Sequence, residues 1–183
     1  MKLGNNFTLD KYGLHLRFVN EDDAEFILNL RTDERLGRFI HYTENDLEKE
    51  KRWISDYKIR EKNGTEYYFI YYYKGEPIGV NRIYDIKEDH ATGGSWVCKT
   101  GLPMELPILM LIILREIIFE MLNLSYEKFD VRKKNHKVLR VNELFGADKI
   151  KETDLDYFYE LSSETFKQKK SYFLNLLNVN KLN

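Results

Sequence analysis

The segment that most constrains this chain runs from Gly93 to Asn123, GGSWVCKTGLPMELPILMLIILREIIFEMLN. It reads as a short buried strand, a turn with Gly101 and two prolines, and the most apolar helix of the protein. The uninterrupted apolar run Leu106 to Leu114 is too short to span a membrane and is followed by Arg115, Glu116 and Glu120. It therefore predicts a helix buried in the middle of a fold. Strand, turn and helix start form the unit that α/β folds use to hold phosphate-bearing ligands, because unpaired N–H groups and the positive end of the helix dipole face the turn. Here Leu102, Pro103, Met104, Glu105, Leu106 and Pro107 supply no glycine for close approach, no basic side chain, and a carboxylate where an anion would sit. At an effective dielectric of about 20, an unscreened carboxylate about 5 Å from a phosphate charge costs roughly 3 kcal/mol.

A chain of 183 residues predicts one domain over its full length. With 29 basic and 30 acidic residues the net charge is −1, so no global field draws it to nucleic acid or an anionic membrane, and neither is expected as a partner. The lone Cys98 excludes an internal disulfide and a Cys/His metal cluster, and reads as a small buried hydrophobe. No metal is expected. Without a signal-like apolar start or a membrane-length run, the expected location is cytoplasmic, as a monomer or homodimer.

Along the chain, Tyr12 to Val19 alternates as a first strand, and Asn20 followed by Glu21, Asp22 and Asp23 opens a helix. A second amphipathic helix runs from about Thr43 to Lys62 and stops at Asn63-Gly64. The segment TEYYFIYYYKGEPIGVNRIYDI predicts a hairpin of Glu66 to Tyr73 and Glu76 to Tyr84 around Lys74-Gly75. Ala91 to Cys98 is the next strand, the central helix spans Pro107 to Asn123, and Tyr126 to Arg132 returns as a parallel strand. Asn135 opens a short helix to Leu144, Asp148 to Lys151 pairs with Tyr157 to Leu161, and a last helix starts at Ser163 and runs to about residue 178. The fold class is α/β (α+β): a mixed, twisted sheet of about six or seven strands flanked by helices.

This order resembles the GCN5-related N-acetyltransferases (GNAT). The hairpin has that family's turn glycine followed by Ile78-Gly79, and FDVRKKNHKVLRVNELFGA resembles its last motif, with Asn135 before a helix that ends in Glu143 and Gly146. The resemblance spans about Tyr12 to Ile150, and GSWV, FDVRK and FGA look most like a branch associated with bacterial surface-sugar biosynthesis. It implies two splayed parallel strands, Ala91 to Cys98 and Tyr126 to Arg132, that part after Cys98 and hold acetyl-CoA as donor substrate, with a small-molecule amine attacking from the other side. The oxyanion donor is then expected around Val97 or Cys98, and Trp96 and Asn135 join them as donor-binding positions. The pyrophosphate loop of that family has no counterpart in Leu102 to Pro107, and Asn142 stands where many members place an acid tyrosine.

The candidate catalytic residues are His41, Asp85 and Asn142, with Arg38, Arg82, Tyr84 and Ser95 as acceptor-binding positions. Some have a plainer reading: His41 as an exposed loop histidine, Arg82 with Asp85 as a structural pair and, among the donor-binding positions, Trp96 as core. Three functions remain open at this level. They are acetylation of a small amine such as a nucleotide-linked amino sugar, transfer of another acyl group or from a carrier-protein donor, and a binding protein that kept the fold and lost the cofactor loop.

Overall fold

The computed structural model describes residues 1–177 and 179. Eight strands form one sheet in the order β1-β2-β3-β4-β5-β6-β8-β7. They are β1 Thr8–Lys11, β2 Leu14–Phe18, β3 Tyr67–Tyr73, β4 Glu76–Tyr84, β5 His90–Cys98, β6 Tyr126–Arg132, β7 Asp148–Glu152 and β8 Asp156–Ser162. Neighbouring strands run antiparallel except β5 and β6, which are parallel. The helices are α1 Ala24–Thr32, α2 Leu47–Asn63, α3 Glu105–Glu116, α4 His136–Leu144 and α5 Ser163–Leu176.

Strand β3 shows why the sheet carries helices on both faces. Alternation sends Tyr67, Phe69 and Tyr71 into a large core with α3, while Tyr68 and Ile70 enter a smaller one with Ile27 and Leu30 of α1 and Ile54 and Tyr57 of α2. The central helix is apolar all round because it is covered all round: Leu106 and every residue from Leu109 to Glu116 are buried.

Three expectations change. The sheet gains β1, which pairs back on β2 across the turn at Tyr12 and Gly13, both at positive φ (55° and 73°). Its sequence, TLDK, lies half in solvent at an edge and carries little apolar alternation. The central helix begins at Glu105, so Pro107 falls in its first turn, where the missing N–H is one that would have no helical partner. From Ile117 to Met121 the helix widens to a π turn, with Leu122 N–H donating to the Ile117 carbonyl at 2.8 Å. The last helix is described to Leu176, and its expected end at residue 178 lies outside the described residues.

Candidate active site

The parallel seam is paired only where His90, Ala91 and Thr92 meet Tyr126, Glu127 and Lys128. The split therefore opens at Gly93 and not after Cys98. Its apex is filled by a polar cluster from three elements. Arg115 of α3 donates from Nε to Glu127 Oε2 of β6 (2.7 Å) and from Nη2 to Asn142 Oδ1 of α4 (2.6 Å), and its guanidinium lies 4.5 Å from the centre of the Phe145 ring. The ion pair is almost fully buried. Desolvation raises the Glu127 pKa, with the Arg115 charge and hydrogen bond pulling the other way. Gly93 has to be glycine here, since a Cβ would collide with the Glu127 carboxylate.

Beyond the apex the facing edges of β5 and β6 have no ladder bonds to each other, and Gly93 to Trp96 and Phe129 to Arg132 line a cleft between them. Two open strand edges present rows of N–H and C=O groups to any extended, amide-bearing ligand. On its other side β5 carries a bulge. Val80 faces Val97 and Arg82 faces Gly94, which leaves Ser95 and Trp96 opposite the single residue Asn81. Ser95 sits at φ 51°, a left-handed conformation that costs a non-glycine residue about 1 kcal/mol or more. Bulges re-aim backbone and side chains, and this one does so where the strand borders the cleft. The Trp96 indole N–H is buried there without a partner among the described residues.

Several expected site residues converge on this cleft: His41, Arg82, Tyr84, Ser95, Trp96, Asn135 and Asn142 all line it. Others do not. Val97 is buried in the smaller core, and Cys98, whose thiol is pushed up to about 11 by burial, packs against the opposite core. Neither lines the cleft, because the bulge ends before them. The bulge residues that border the opening are Ser95 and Trp96. Asp85 lies past the end of β4 at φ 49°, outside the cleft lining, and Arg82 pairs with Glu66 (3.4 Å), not with Asp85. Arg38 stacks on Phe39 at 4.4 Å in a short turn and is likewise outside the lining. Asn142 cannot take the place of an acid tyrosine, since its oxygen accepts from Arg115 and its Nδ2 donates to the Val138 carbonyl at 3.0 Å. Asn135 precedes α4 but makes no side-chain cap bond, leaving its amide free toward the cleft it lines.

A side pocket of about 300 Å³ joins the cleft at Arg31, His41, Arg82 and Ser95 and is closed by Glu50 and Trp53 of α2 and Tyr68 of β3. Glu50, Tyr68, Arg31, Arg115 and Glu127 were not singled out from sequence. The signal for Glu50 was present: Leu47, Glu50, Ile54, Tyr57 and Glu61 recur at helical spacing on one face, so two carboxylates occupy an apolar stripe. The link from α1 to α2 forms the outer wall. Arg31 Nε donates to Thr43 Oγ1 at 2.7 Å, and the Asp33 carboxylate accepts from the backbone N–H groups of Arg35 and Leu36 (2.8 and 2.9 Å), which hold its pKa below the usual carboxylate value.

The loop from β5 to α3 begins with Lys99, which lies 5.3 Å from the Phe26 ring centre, and turns at Gly101 (φ 76°) as expected, so a cation and a flexible glycine precede Leu102, Pro103 and Met104. Glu105 still heads the helix with no side-chain cap at Met104.

The model of the acetyltransferase (GNAT) domain matches residues 14–148. Comparison with curated proteins found no match. Among solved structures, apo FdhC, described as a nucleotide-linked sugar GNAT, is 34% identical, with 94% of this chain and 99% of that chain covered and a TM-score of 0.84. Campylobacter jejuni N-acetyltransferase PseH superposes with a TM-score of 0.63 at 22% identity, over 82% of this chain and 99% of its own. Mycobacterium smegmatis RimJ in complex with CoA-disulfide does so at 0.71 and 19% identity, over 93% and 92%.

Proposed function

The chain belongs to the GNAT acetyltransferase family, and from that premise we propose that it transfers an acetyl group from acetyl-CoA to the amino group of a nucleotide-linked sugar. Membership in a family of enzymes sets aside the non-catalytic reading. The observation that carries the proposal is the seam that opens at Gly93 beside a bulge at Ser95 and Trp96. An extended arm with amide groups pairs with the open edge of β5, and its thioester then lies against the bulge. A backbone N–H from the bulge stabilises the oxyanion formed when the amine attacks, in a cleft shielded from water. The thiolate leaves without a strong acid, because a free thiol near pKa 8.5 is already a fair leaving group. The acceptor enters from the side of Arg31, His41, Arg82 and Tyr84, where cationic groups suit the diphosphate of a nucleotide-linked sugar.

Glu105 favours a second reading at the donor end only. A thioester on a carrier protein presents the same amide-bearing arm without a free adenine nucleotide, and would need less from the helix start. Thermal shift separates the two. Acetyl-CoA at about 100 times its dissociation constant stabilises the protein by about 2.7 kcal/mol, and incubation with a nucleoside-diphosphate-linked amino hexose yields the acetamide, seen as a mass increase. No shift at millimolar acetyl-CoA would turn the assignment to a carrier-bound donor.

A further inference from the structure

The inner stripe of α2 brings two carboxylates to the small core, and one of them has nothing to hold. Glu50 is 9% exposed, yet no ion pair or side-chain hydrogen bond engages its carboxylate among the described residues. Across the side pocket the Tyr68 hydroxyl, 2% exposed, makes no hydrogen bond of normal length among the described residues, although the nearby Arg31 guanidinium draws its pKa down against the stronger effect of burial. A buried polar group left unpaired is costly, so the pocket is built for something that donates to one and reaches the other. The pocket meets the cleft at Ser95, on the bulge.

The surrounding charges narrow what that can be. Lys49 on the rim is paired with Glu44 at 2.6 Å, and Arg82 is paired with Glu66. His41 lies at the mouth, and Arg31 spends its bonds on neutral oxygens, the Thr43 hydroxyl and the His41 carbonyl. Glu50 is thus the carboxylate of the pocket without a cation in contact. A group with several N–H donors and a positive charge satisfies it best, and an ammonium group is that group.

Resting on the amine-acetylation reading above, we propose that the side pocket receives the acceptor amine and that Glu50 is the general base that deprotonates it. The ammonium gives one proton to a Glu50 carboxylate oxygen. The freed lone pair forms the C–N bond to the thioester carbonyl, and collapse of the tetrahedral adduct breaks C–S. The second nitrogen proton goes to the departing thiolate, giving amide and thiol, and Glu50 returns its proton to solvent. Burial is the larger influence on the Glu50 carboxyl and raises its pKa, with Arg31 opposing, which moves a carboxylate toward the working range of a base at neutral pH. Tyr68, whose own hydroxyl is pushed up to about 12 and stays protonated, positions the amine or Glu50 without exchanging a proton.

The experiment compares wild type, Glu50→Gln and, as a control on the solvent face of the same helix, Glu48→Gln. Acetyl-CoA and a panel of nucleoside-diphosphate-linked amino hexoses are the probes, with rates followed from about pH 6 to 10. Glu50→Gln is expected to lower kcat by about a hundredfold or more near pH 7 with the KM for acetyl-CoA unchanged. The deficit should shrink as pH rises and free amine accumulates. Glu48→Gln keeps the wild-type profile, and both variants keep the wild-type thermal shift with acetyl-CoA, which separates chemistry from folding. A Glu50→Gln rate within twofold of wild type across the range overturns the base assignment alone. If wild type itself neither binds acetyl-CoA nor acetylates any amine of the panel, the acetyl-transfer reading fails and this one falls with it.

Discussion

The two ends of α2 carry the same residue type on the same buried stripe and treat it in opposite ways. Near the C-terminal end, Glu61 is held by Lys58 Nζ at 2.6 and 2.7 Å and by the Tyr57 hydroxyl at 2.5 Å. Tyr57 in turn accepts the Tyr68 backbone N–H at 2.9 Å, which ties the helix to β3. Near the N-terminal end, Glu50 faces a cavity and an unpaired tyrosine hydroxyl. Burial alone therefore does not separate architecture from chemistry. A buried carboxylate with all its partners stabilises the fold, whereas one left open to a cavity is a cost that a ligand can relieve.

The cleft floor extends the comparison and gives the largest expected effect. Glu127 resembles Glu61 in being held, but its partner Arg115 is itself fully buried and cannot turn to water. Glu127→Leu should cost about 3 to 5 kcal/mol, since it strands the guanidinium, whereas Glu127→Leu with Arg115→Met should recover most of that loss. Urea unfolding midpoints of the two variants decide it. A single variant as stable as wild type would mean that the cluster at the apex is not held as its distances imply.

A smaller effect, opposite in sign at the two ends of α2, is expected from neutralising each carboxylate. Glu61→Gln should lose about 1 to 2 kcal/mol, reduced because Lys58 is partly exposed and can be rehydrated. Glu50→Gln should gain about 0.5 to 1 kcal/mol at neutral pH. The sign follows from linkage. Burial raises the folded-state pKa of Glu50 above its ordinary 4.5, so the folded protein keeps a proton that the unfolded chain has lost. Its contribution is most favourable below that ordinary value and declines as pH rises through the folded-state pKa. The stability curves of Glu50→Gln and wild type should therefore converge in acid and separate toward neutrality. Curves that stay parallel from acid to neutral would place a hidden partner on Glu50.

The smallest effect concerns a carboxylate that is neither held nor buried. Glu105 is only half-buried at the start of α3, so solvent screens the roughly 3 kcal/mol of an unscreened contact to about 1. Glu105→Gly should tighten acetyl-CoA binding about fivefold by calorimetry, at the expense of a few tenths of a kcal/mol of helix stability. Unchanged affinity would show that the phosphates stay clear of the helix start, as a carrier-borne thioester would.

Much of the layout was legible because it rests on local pattern. The alternation of YYFIYYY and the Lys74-Gly75 turn mark the hairpin, and the run after Pro107 marks the buried helix. The Asn135 segment carries the family resemblance. Strand β1 was not legible, since four residues at a solvent-facing edge need no apolar period. Val97 and Cys98, expected beside the thioester, lie outside the cleft lining, and the bulge that brings Ser95 and Trp96 to it was not legible because a bulge is a mismatch between two strands and leaves no mark on one of them. Asp85 and Arg38 have suitable residue types beside suitable segments in sequence, yet each lies outside the cleft lining.

By itself the sequence determined the helices and every strand but the edge strand β1, and that the helix after β5 lies at the centre, because periodicity and turn chemistry act over a few residues. Only the tertiary structure decided where the parallel seam parts. That depends on Glu127 reaching beneath Gly93 to meet Arg115, residues brought together from separate elements. It also decided which carboxylate of α2 is free. Glu50 and Glu61 have the same spacing, charge and stripe, and what distinguishes them is whether a lysine one turn away or an open cavity stands at the carboxylate.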